Sequence, residues 1–287
     1  MAADMSKPAT GTPGEGLSAD ELGPGIPTRP IAIAGGAGSA RSRSASGRVE
    51  VPPGVLDTLA GTGAAVLTDA AELAEHSRDW WPLAMTWAVD GEVPALAGAV
   101  VRPTQEGQVA EVLAICNAAG VPVTAAAGRS GVLGGTVPAF GGVVLDLGGL
   151  AGIHSVDDES LVVDVACGTF GDRFEDELRR VHGLTCGHWA QSMTLSTVGG
   201  WLACRGAGQF STRYGKIEDM VVGLDVALAD GRTISTGGAP RSATGPDLNQ
   251  LFVGSEGTLG VITSARLRVH PAPEAAVRGA WSFPGFA

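Results

Sequence analysis

Regular patterns of apolar and polar positions begin at about residue 95. Residues 95–101 form an apolar run that predicts a strand, and residues 105–119 carry apolar residues every three or four positions, which predicts a helix ended by Gly120. Residues 121–125 are again an apolar run of strand length. The order strand, helix, strand predicts an α/β unit at this point of the chain.

Shorter apolar runs predict further strands, at residues 142–147, 152–156, 161–165, 221–228, 233–235 and 265–269. Asp230-Gly231 separates two of these runs and is typical of a hairpin turn. Helical patterns occupy residues 169–181 and 247–252, whereas residues 187–220 have too little apolar periodicity for a helix or a plain strand. The chain is therefore predicted to mix helices and strands around one irregular polar segment.

Residues 1–47 are rich in Gly, Ala, Ser, Pro and Thr and hold few large apolar side chains. This composition buries too little apolar surface to offset the entropy of ordering, which predicts a disordered or loosely attached arm. Residues 48–94 carry short helical patterns at 53–60 and 69–76, followed by Asp79-Trp80-Trp81-Pro82. They predict a small helical lobe packed by aromatic side chains, although tryptophans also suit the mouth of a pocket.

The composition is that of a globular protein, because 44% of the 287 residues are hydrophobic and 17% are charged. The 44 glycines indicate many turns, strands and close backbone approaches rather than a helical bundle. A net charge of −11 argues against a nucleic-acid partner, since phosphate backbones are bound through clustered Lys and Arg. An acidic protein can still bind a phosphate through backbone N–H groups and a few well-placed cations.

The four cysteines, Cys116, Cys167, Cys186 and Cys204, form no CxxC pair and have no zinc spacing. They are interpreted as reduced thiols of the core or of a site, and the scattered histidines suggest no metal. No apolar run approaches the roughly 18 residues needed to span a bilayer, and the N-terminus lacks the apolar region of a secretory signal. The sequence therefore predicts a cytoplasmic protein without a membrane span.

Two polar segments suggest a bound ligand. Within residues 187–220, a run of Ser, Thr and Gly offers hydroxyls and inward-turning backbone N–H groups, which suit an anion such as a pyrophosphate. A glycine-rich turn at residues 125–135 directly follows a predicted strand, where α/β proteins often hold phosphate. This turn matches neither GxGxxG nor GxxxxGK[ST], which disfavours nicotinamide-dinucleotide and P-loop folds. A glycine- and serine-rich surface loop is the alternative interpretation.

The order of three motifs resembles the FAD-binding domain of the vanillyl-alcohol-oxidase superfamily, also called the PCMH-type FAD domain. They are the turn at 125–135, the segments STVGGW and YGKIEDMV within 196–221, and SEGTLGVIT at 255–263. Together with ATGPDLNQ at 243–250, they are most similar to the alkylglycerone-phosphate-synthase branch, and more distantly similar to the branch of glycolate oxidase and D-lactate dehydrogenase. The resemblance covers residues 95–273. It implies an α+β fold in which two α/β subdomains hold an extended FAD, followed by a substrate-binding cap.

The resemblance also implies which residues bind FAD. The first turn would hold the pyrophosphate, residues 191–197 would line the flavin and phosphate, residues 204–207 would continue that wall, and residues 256–262 would hold the adenosine part through backbone groups. The implied cofactor-binding residues are Ala125, Ala126, Ala127, Gly128, Arg129, Ser130, Gly131, Gln191, Ser192, Met193, Thr194, Leu195, Ser196, Thr197, Gly199, Gly200, Cys204, Arg205, Gly206, Ala207, Glu256, Gly257, Thr258, Leu259, Gly260, Val261 and Ile262.

The first turn departs from the family pattern in two ways. Where the family usually has GGGTS, this chain has AGRSG at residues 127–131. The Arg129 guanidinium either points at a phosphate or faces solvent, and solvent is the prediction because the family needs no such arginine. Relatives with covalent flavin carry a histidine just after such a turn, where Val132 and Leu133 stand here. The sequence therefore predicts non-covalent FAD.

Residues 274–287 resemble the beginning of a cap domain, truncated here, with WSFP at 281–284 as its opening strand. In the family, the residues that bind substrate and move protons lie in the cap, so the catalytic residues stay unknown. The candidates within this chain are His188, Arg205, Arg213 and Tyr214. For His188, a histidine hydrogen-bonded at a strand end is the prediction, and a position near the flavin ring is the alternative. Arg205 either clamps FAD or braces its loop.

The resemblance implies an FAD-dependent flavoprotein of the oxidoreductase type with a small-molecule substrate. The alkylglycerone-phosphate-synthase branch would exchange an acyl for an alkyl group on dihydroxyacetone phosphate without net redox change, whereas its cousins would oxidise a 2-hydroxy acid or an alcohol. Alternatively, the chain binds FAD as an inactive fragment, or as a subunit that a homodimer or a cap-bearing partner completes. A glycine-rich scaffold without flavin is the remaining alternative.

Overall fold

The computed structural model describes residues 29–44, 47–239, 243–277 and 279–285. The helices are α1 (Pro53–Gly61), α2 (Ala70–His76), α3 (Pro82–Ala88), α4 (Glu106–Ala118), α5 (Gly171–His182), α6 (Val198–Ala203), α7 (Ser211–Tyr214), α8 (Ile217–Met220) and α9 (Asn249–Phe252). The strands are β1 (Arg41–Ser42), β2 (Ala65–Leu67), β3 (Glu92–Val93), β4 (Ala99–Arg102), β5 (Val123–Ala126), β6 (Val143–Asp146), β7 (Ile153–Asp157), β8 (Val162–Ala166), β9 (Leu184–Thr185), β10 (Val221–Ala227), β11 (Thr233–Ser235), β12 (Val261–Arg268) and β13 (His270–Pro271).

The first sheet has the strand order β2-β4-β6-β5. Its strands β4, β6 and β5 run parallel, and β2 pairs with β4 in the antiparallel direction. Helix α4 joins β4 to β5 and packs its apolar face into the core of this sheet, as the strand-helix-strand pattern predicts. Because the parallel strands share one direction, their carboxyl ends at Arg102, Ala126 and Asp146 lie on one edge of the sheet.

The second sheet has the order β11-β10-β12-β8-β7 and is antiparallel throughout. Asp230-Gly231 joins β10 to β11 in the predicted hairpin. Helices α5 and α6 contribute buried apolar side chains to the core of this sheet. Ala227 and Val261 of the second sheet also belong to the core cluster of the first, so the two subdomains pack directly against each other. The predicted α+β fold of two α/β subdomains is confirmed.

Residues 187–220 differ from the prediction, since they contain the short helices α6, α7 and α8. Helix α6 includes Gly199 and Gly200, which are poor helix formers, and this masked it in the sequence pattern. Its buried Trp201 and Leu202 pack into the second core, and such tertiary packing stabilises helices that propensity alone would not. The prediction that this stretch holds no helix is wrong. Strand β12 likewise begins at Val261, earlier than predicted.

The described part of the N-terminal arm, residues 29–44 and 47, also differs from the disorder predicted for residues 1–47. Strand β1 pairs in parallel with β3, and Ile33 is buried against the α2 and α3 region. One apolar anchor and one short strand are therefore enough to hold this segment against the lobe. Residues 1–28 lie outside the described residues.

The described residues 279–285 form neither helix nor strand. Trp281 and Phe283 are 80% and 79% exposed, so the predicted opening strand of a cap has no pairing partner in the described chain. Over the described ranges no helix is both long and apolar enough to cross a membrane, and no cluster of His, Cys, Asp and Glu is arranged for a metal ion. The four cysteines are unpaired in that same part of the chain.

Candidate functional site

A cavity of about 520 Å³ lies between the two sheets. Its walls come from the turn after β5, the loop before α6 together with α6 itself, the loop after α6, and the turn before β12. Asp79 of the N-terminal lobe contributes to one side. The four main segments are those that the sequence motifs predict for a cofactor.

Most of the predicted cofactor-binding residues line this cavity. They are Ala125, Ala126, Ala127, Gly128, Arg129, Ser130, Gly131, Gln191, Ser192, Ser196, Thr197, Gly199, Gly200, Cys204, Gly206, Ala207, Glu256, Gly257, Gly260, Val261 and Ile262. The predicted residues outside its lining are Met193, Thr194, Leu195, Arg205, Thr258 and Leu259. Binding of the cofactor by the first set stays a prediction, but the fold does bring that set together.

Arg205 braces the loop after α6. Its Nε lies 3.3 Å from Glu218 Oε1, and its Nη2 donates to Gln250 Oε1 over 2.7 Å. Glu218 also pairs with Lys216, whose Nζ lies 2.5 Å from the same oxygen. The guanidinium therefore has protein partners outside the cavity, which fits the bracing alternative better than a direct clamp on a ligand.

Two glycines allow the cavity walls to meet. A Cβ added to Gly128 would lie 2.3 Å from the carbonyl oxygen of Leu195, so only glycine lets the first turn touch the loop before α6. A Cβ added to Gly199 would lie 2.8 Å from Cys167 Cβ, where α6 crosses the end of β8. These contacts fix the separation of the walls and hence the width of the cavity.

His188 lines the cavity in a way that the sequence did not predict. It is 1% exposed, its ring centroid lies 4.6 Å from that of Trp201, and neither ring nitrogen has a hydrogen-bond partner among the described residues. The predicted hydrogen-bonded histidine at a strand end is therefore wrong. Burial lowers the pKa of His188 to about 4, with the Glu218 carboxylate opposing the shift. At neutral pH the ring is an uncharged group with one donor and one acceptor.

Asp79 is a second unpredicted residue of the wall. It is 1% exposed, and its Oδ1 accepts a hydrogen bond from the Trp81 backbone N–H over 3.0 Å. Burial raises the pKa of Asp79, while backbone hydrogen bonds from Trp81, Gly134 and Thr136 oppose that rise. Its Oδ2 is buried without a partner in the described structure. The sequence placed Asp79 in an aromatic packing cluster, and only the folding of the lobe against the first turn brings it here.

Arg129 points inward, and the prediction that it faces solvent is wrong. The residue is partly buried on the cavity wall, and its Nη1 atom is buried with no hydrogen-bond partner among the described residues. Its backbone adopts a φ of +51°, a left-handed conformation that is uncommon outside glycine. The chain thus places a strained, cationic residue where the family pattern has glycine.

Unsatisfied polar atoms concentrate on this cavity. Asp79 Oδ2, Arg129 Nη1, Thr136 Oγ1 and both ring nitrogens of His188 are buried without a partner in the described residues, and all four residues line it. Buried polar groups in folded proteins are nearly always paired, so each such atom needs an explanation. A ligand that combines a flat ring system, hydroxyls and a diphosphate supplies acceptors, donors and negative charge to this set. The residues present therefore fit a flavin dinucleotide.

Comparisons with known proteins agree with this chemistry. Residues 97–237 match the family model described as FAD binding domain. Alkyldihydroxyacetonephosphate synthase of Caenorhabditis elegans is 32% identical over 201 residues, which are 69% of this chain and 34% of that protein. The FAD-linked oxidoreductase YgcU of Escherichia coli K12 is 40% identical over 177 residues, which are 61% of this chain and 36% of that protein.

A solved structure of alkyldihydroxyacetonephosphate synthase superimposes with a TM-score of 0.74 at 24% sequence identity, covering 87% of this chain and 44% of that one. This likeness shows the fold. The match to the family model and the lining of the cavity together indicate a domain that binds a flavin dinucleotide. Residues 97–237 carry an FAD-binding domain similar to that of FAD-linked oxidoreductases, and FAD is its cofactor. The chain spans about a third of the length of the curated relatives it matches.

Proposed function

We propose that this chain carries the cofactor half of the active site of an FAD-dependent enzyme of the oxidoreductase type, on the branch that resembles alkylglycerone-phosphate synthase. The observation that supports this most is the cavity between the two sheets, because the motif segments converge on it and its buried polar atoms lack partners. Buried polar atoms without a partner also occur elsewhere in the described chain, for example on Arg48 and Glu106, but five of them belong to the four cavity residues Asp79, Arg129, Thr136 and His188.

In this proposal the backbone N–H groups of the turn after β5 and the hydroxyl of Thr197 hold the diphosphate. Residues 256–262 hold the adenosine part through backbone groups. Trp201 and His188, whose rings contact each other at an angle of 51°, form one wall, on which the neutral imidazole offers a hydrogen bond. When bound, FAD supplies the isoalloxazine ring that accepts and returns electrons, while the protein binds, orients and tunes it.

The flavin is proposed to be non-covalent. Val132 and Leu133, which are 56% and 86% exposed, occupy the place where covalent relatives carry a histidine. Neither side chain can form a bond to a flavin ring. Both are instead exposed apolar groups at the mouth of the cavity, where a substrate-binding cap would cover them.

Substrate-specific proton transfer is proposed to need groups beyond those on this wall. His188 is uncharged at neutral pH, and Arg205 is held by Glu218 and Gln250. A cap that binds a small-molecule substrate would supply the remaining acid, base and cation, from a longer form of this chain, from a second copy in a homodimer or from another subunit.

The cytoplasm is the proposed location.

The direct test is a visible absorption spectrum of the purified chain after loading with FAD and removal of free FAD, followed by acid precipitation. Retained flavin absorption that moves to the acid supernatant is the expected result. Absorption that stays with the precipitated protein would contradict the non-covalent assignment. A chain that never retains flavin, even in the presence of a cap-domain polypeptide, would contradict the function.

A second experiment separates the two branches of chemistry. The FAD-loaded chain, complemented with a cap if it is inactive alone, is mixed with a 2-hydroxy acid such as lactate or glycolate without oxygen. The proposed redox-neutral branch predicts no lasting bleaching of the flavin. Persistent reduction would place the protein instead with the 2-hydroxy-acid dehydrogenases, and turnover by this chain alone would exclude an inactive fragment.

A further inference from the structure

One guanidinium at the carboxyl edge of the first sheet, that of Arg129, has a buried N–H group without a hydrogen-bond partner among the described residues. Asp146, at the end of β6, is 1% exposed and is the acid that attracts Arg129 most strongly. Its Oδ2 already accepts a hydrogen bond from Arg102 Nε over 2.8 Å and lies 3.1 Å from His76 Nε2. Its Oδ1 accepts from the backbone N–H of Gly148 over 3.1 Å. Asp146 thus makes its hydrogen bonds with Arg102, His76 and Gly148, and Arg129 attracts it only through charge, without a hydrogen-bonded ion pair.

The remaining acids near Arg129 are also engaged. Glu75 accepts a hydrogen bond from Arg78 Nη2 over 2.6 Å. Glu72 Oε2 lies 3.5 Å from His76 Nδ1 and is 40% exposed to solvent. Neither forms a hydrogen bond with the Arg129 guanidinium, whose Nη1 is buried with no acceptor among the described residues. Burial lowers the pKa of Arg129 and the attraction of Asp146 opposes this, but arginine stays charged in proteins.

The backbone of Arg129 carries a further cost. A φ of +51° in a non-glycine residue is strained, and such strain persists where the surrounding structure or a function requires that side chain. The residue directly before Arg129 in this turn, Gly128, is a glycine, the residue type that adopts a left-handed backbone at least cost. An unpaired buried N–H group and a left-handed backbone both cost free energy, and a ligand that supplies the missing acceptor would offset that cost.

We propose that Arg129 binds the diphosphate of FAD through its guanidinium, as a cationic ligand on the glycine-rich turn. The turn follows β5 and lines the cavity, so a phosphate held by its backbone N–H groups lies within the reach of the same residue. Guanidinium groups suit this role because their fork of donors matches phosphate oxygens. The inference rests on the proposed function, since it needs FAD in this cavity.

The test measures binding rather than turnover. Dissociation constants for FAD, riboflavin and ADP are determined by fluorescence or calorimetry for the wild-type chain and for R129Q, R129G and R129K. Arg213→Gln is the matched control, because it removes the same charge from an exposed arginine outside the cavity. The melting temperature of each FAD-free variant is measured in parallel.

R129Q and R129G are expected to bind FAD and ADP at least about tenfold more weakly, the loss typical of one charge-assisted hydrogen bond, while riboflavin binding stays the same. R129K should keep most of the affinity, and R213Q all of it. The FAD-free R129G chain should melt at the same temperature as wild type or higher, because an unpaired charge and a strained φ have been removed.

Three results would overturn the inference. Unchanged FAD affinity in R129Q and R129G would show that the guanidinium does not contact the diphosphate. An equal loss of riboflavin affinity would show a general distortion of the cavity. A lower melting temperature of FAD-free R129G, together with unchanged FAD affinity, would show that Arg129 stabilises the folded chain through Asp146 and does not bind FAD. If the wild-type chain itself does not bind FAD, the proposed function is wrong. That result differs from the three above, in which the wild-type chain binds FAD and only the variants decide.

Discussion

Two groups of buried polar side chains lie near the same edge of the first sheet, and they differ in whether the protein satisfies them. The Asp146 network, made of His76, Arg102 and Asp146, closes on itself through contacts of 2.8 to 3.2 Å. The cavity group, made of Asp79, Arg129, Thr136 and His188, has buried atoms with no partner in the described chain. The first group stabilises the fold, whereas the second marks where a ligand completes it.

The pKa values of the two groups show the same difference. Burial alone would raise the pKa of Asp146, but the hydrogen bond with His76 and the positive charges of Arg129 and Arg102 outweigh it and lower the pKa to about 2. For His188 in the cavity group, burial outweighs the attraction of the Glu218 carboxylate, and the pKa falls to about 4. Asp146 therefore keeps its charge on burial, whereas His188 is held neutral.

The largest loss of stability is expected from a substitution within the Asp146 network. Asp146→Ala should lower the free energy of unfolding by about 3 kcal/mol at neutral pH, because it leaves Arg102 and the buried His76 without their acceptor. Urea denaturation of the FAD-free chain measures this loss. Asp230→Ala is the control, since Asp230 is an exposed hairpin residue paired with Arg232, and it should change stability little. Equal effects of the two substitutions would contradict a structural role for the network.

The next effect concerns pH and the cavity group. The folded pKa of His188 is about 4, below the usual value of 6.5, so between these values the unfolded chain binds more protons than the folded one. The stability of the FAD-free chain should therefore fall as pH drops from 6.5 to 4, with a His188 share on the order of 3 kcal/mol. His188→Asn should remove that share. Parallel pH profiles of wild type and variant in urea denaturation would show that His188 is not held neutral.

A smaller effect tests the contact between the cavity walls. Gly128→Ala should destabilise the FAD-free chain by about 1–3 kcal/mol, because the added Cβ meets the backbone of Leu195, which cannot move freely. Gly131→Ala, in the same turn, is the control: its added Cβ has Asp79 Oδ2 as nearest neighbour, at an ordinary 3.5 Å. Urea denaturation of both variants measures the difference. Equal stabilities would mean that the walls are not in contact at Gly128.

The smallest loss of stability is expected from removing the hydrogen bond that holds Trp201 in the wall it forms with His188. Trp201 Nε1 donates to Ser196 Oγ over 2.7 Å, and both residues are buried. Ser196→Ala should lower the free energy of unfolding by about 1 kcal/mol, because the indole N–H loses its acceptor. Ser282→Ala, at an exposed position, serves as the control and should be neutral. No loss in S196A would show that this hydrogen bond does not support the wall.

The sequence predicted the parts of the fold that depend on local pattern. The unit from β4 to β5 follows from apolar periodicity, and the β10–β11 hairpin follows from Asp230-Gly231. Helix α6 was missed because Gly199 and Gly200 disfavour a helix locally, and only the packing of Trp201 into the second core stabilises it. Local propensity could not reveal this, since the stabilising contacts come from distant strands.

The candidate site was predictable where it consists of backbone and small side chains, as at residues 125–131 and 256–262. It was not predictable where a single side chain reaches the cavity from elsewhere. Asp79 arrives from the N-terminal lobe and belongs to no motif, so its place on the wall follows only from tertiary structure. Arg129 lies within a motif turn, but the direction of its side chain depends on the tertiary structure around that turn.

The central claim is that FAD satisfies the cavity group, and the most direct measurement is the melting temperature of the chain over a titration with FAD and, separately, with riboflavin. A ligand at one hundred times its dissociation constant stabilises the folded state by about 2.7 kcal/mol, which corresponds to a rise of about 5–10 °C for a protein of this size. The account predicts a rise of this order with FAD and a smaller one with riboflavin at equal concentration, because riboflavin lacks the diphosphate and the adenosine part. A melting temperature that does not change up to millimolar FAD would contradict it.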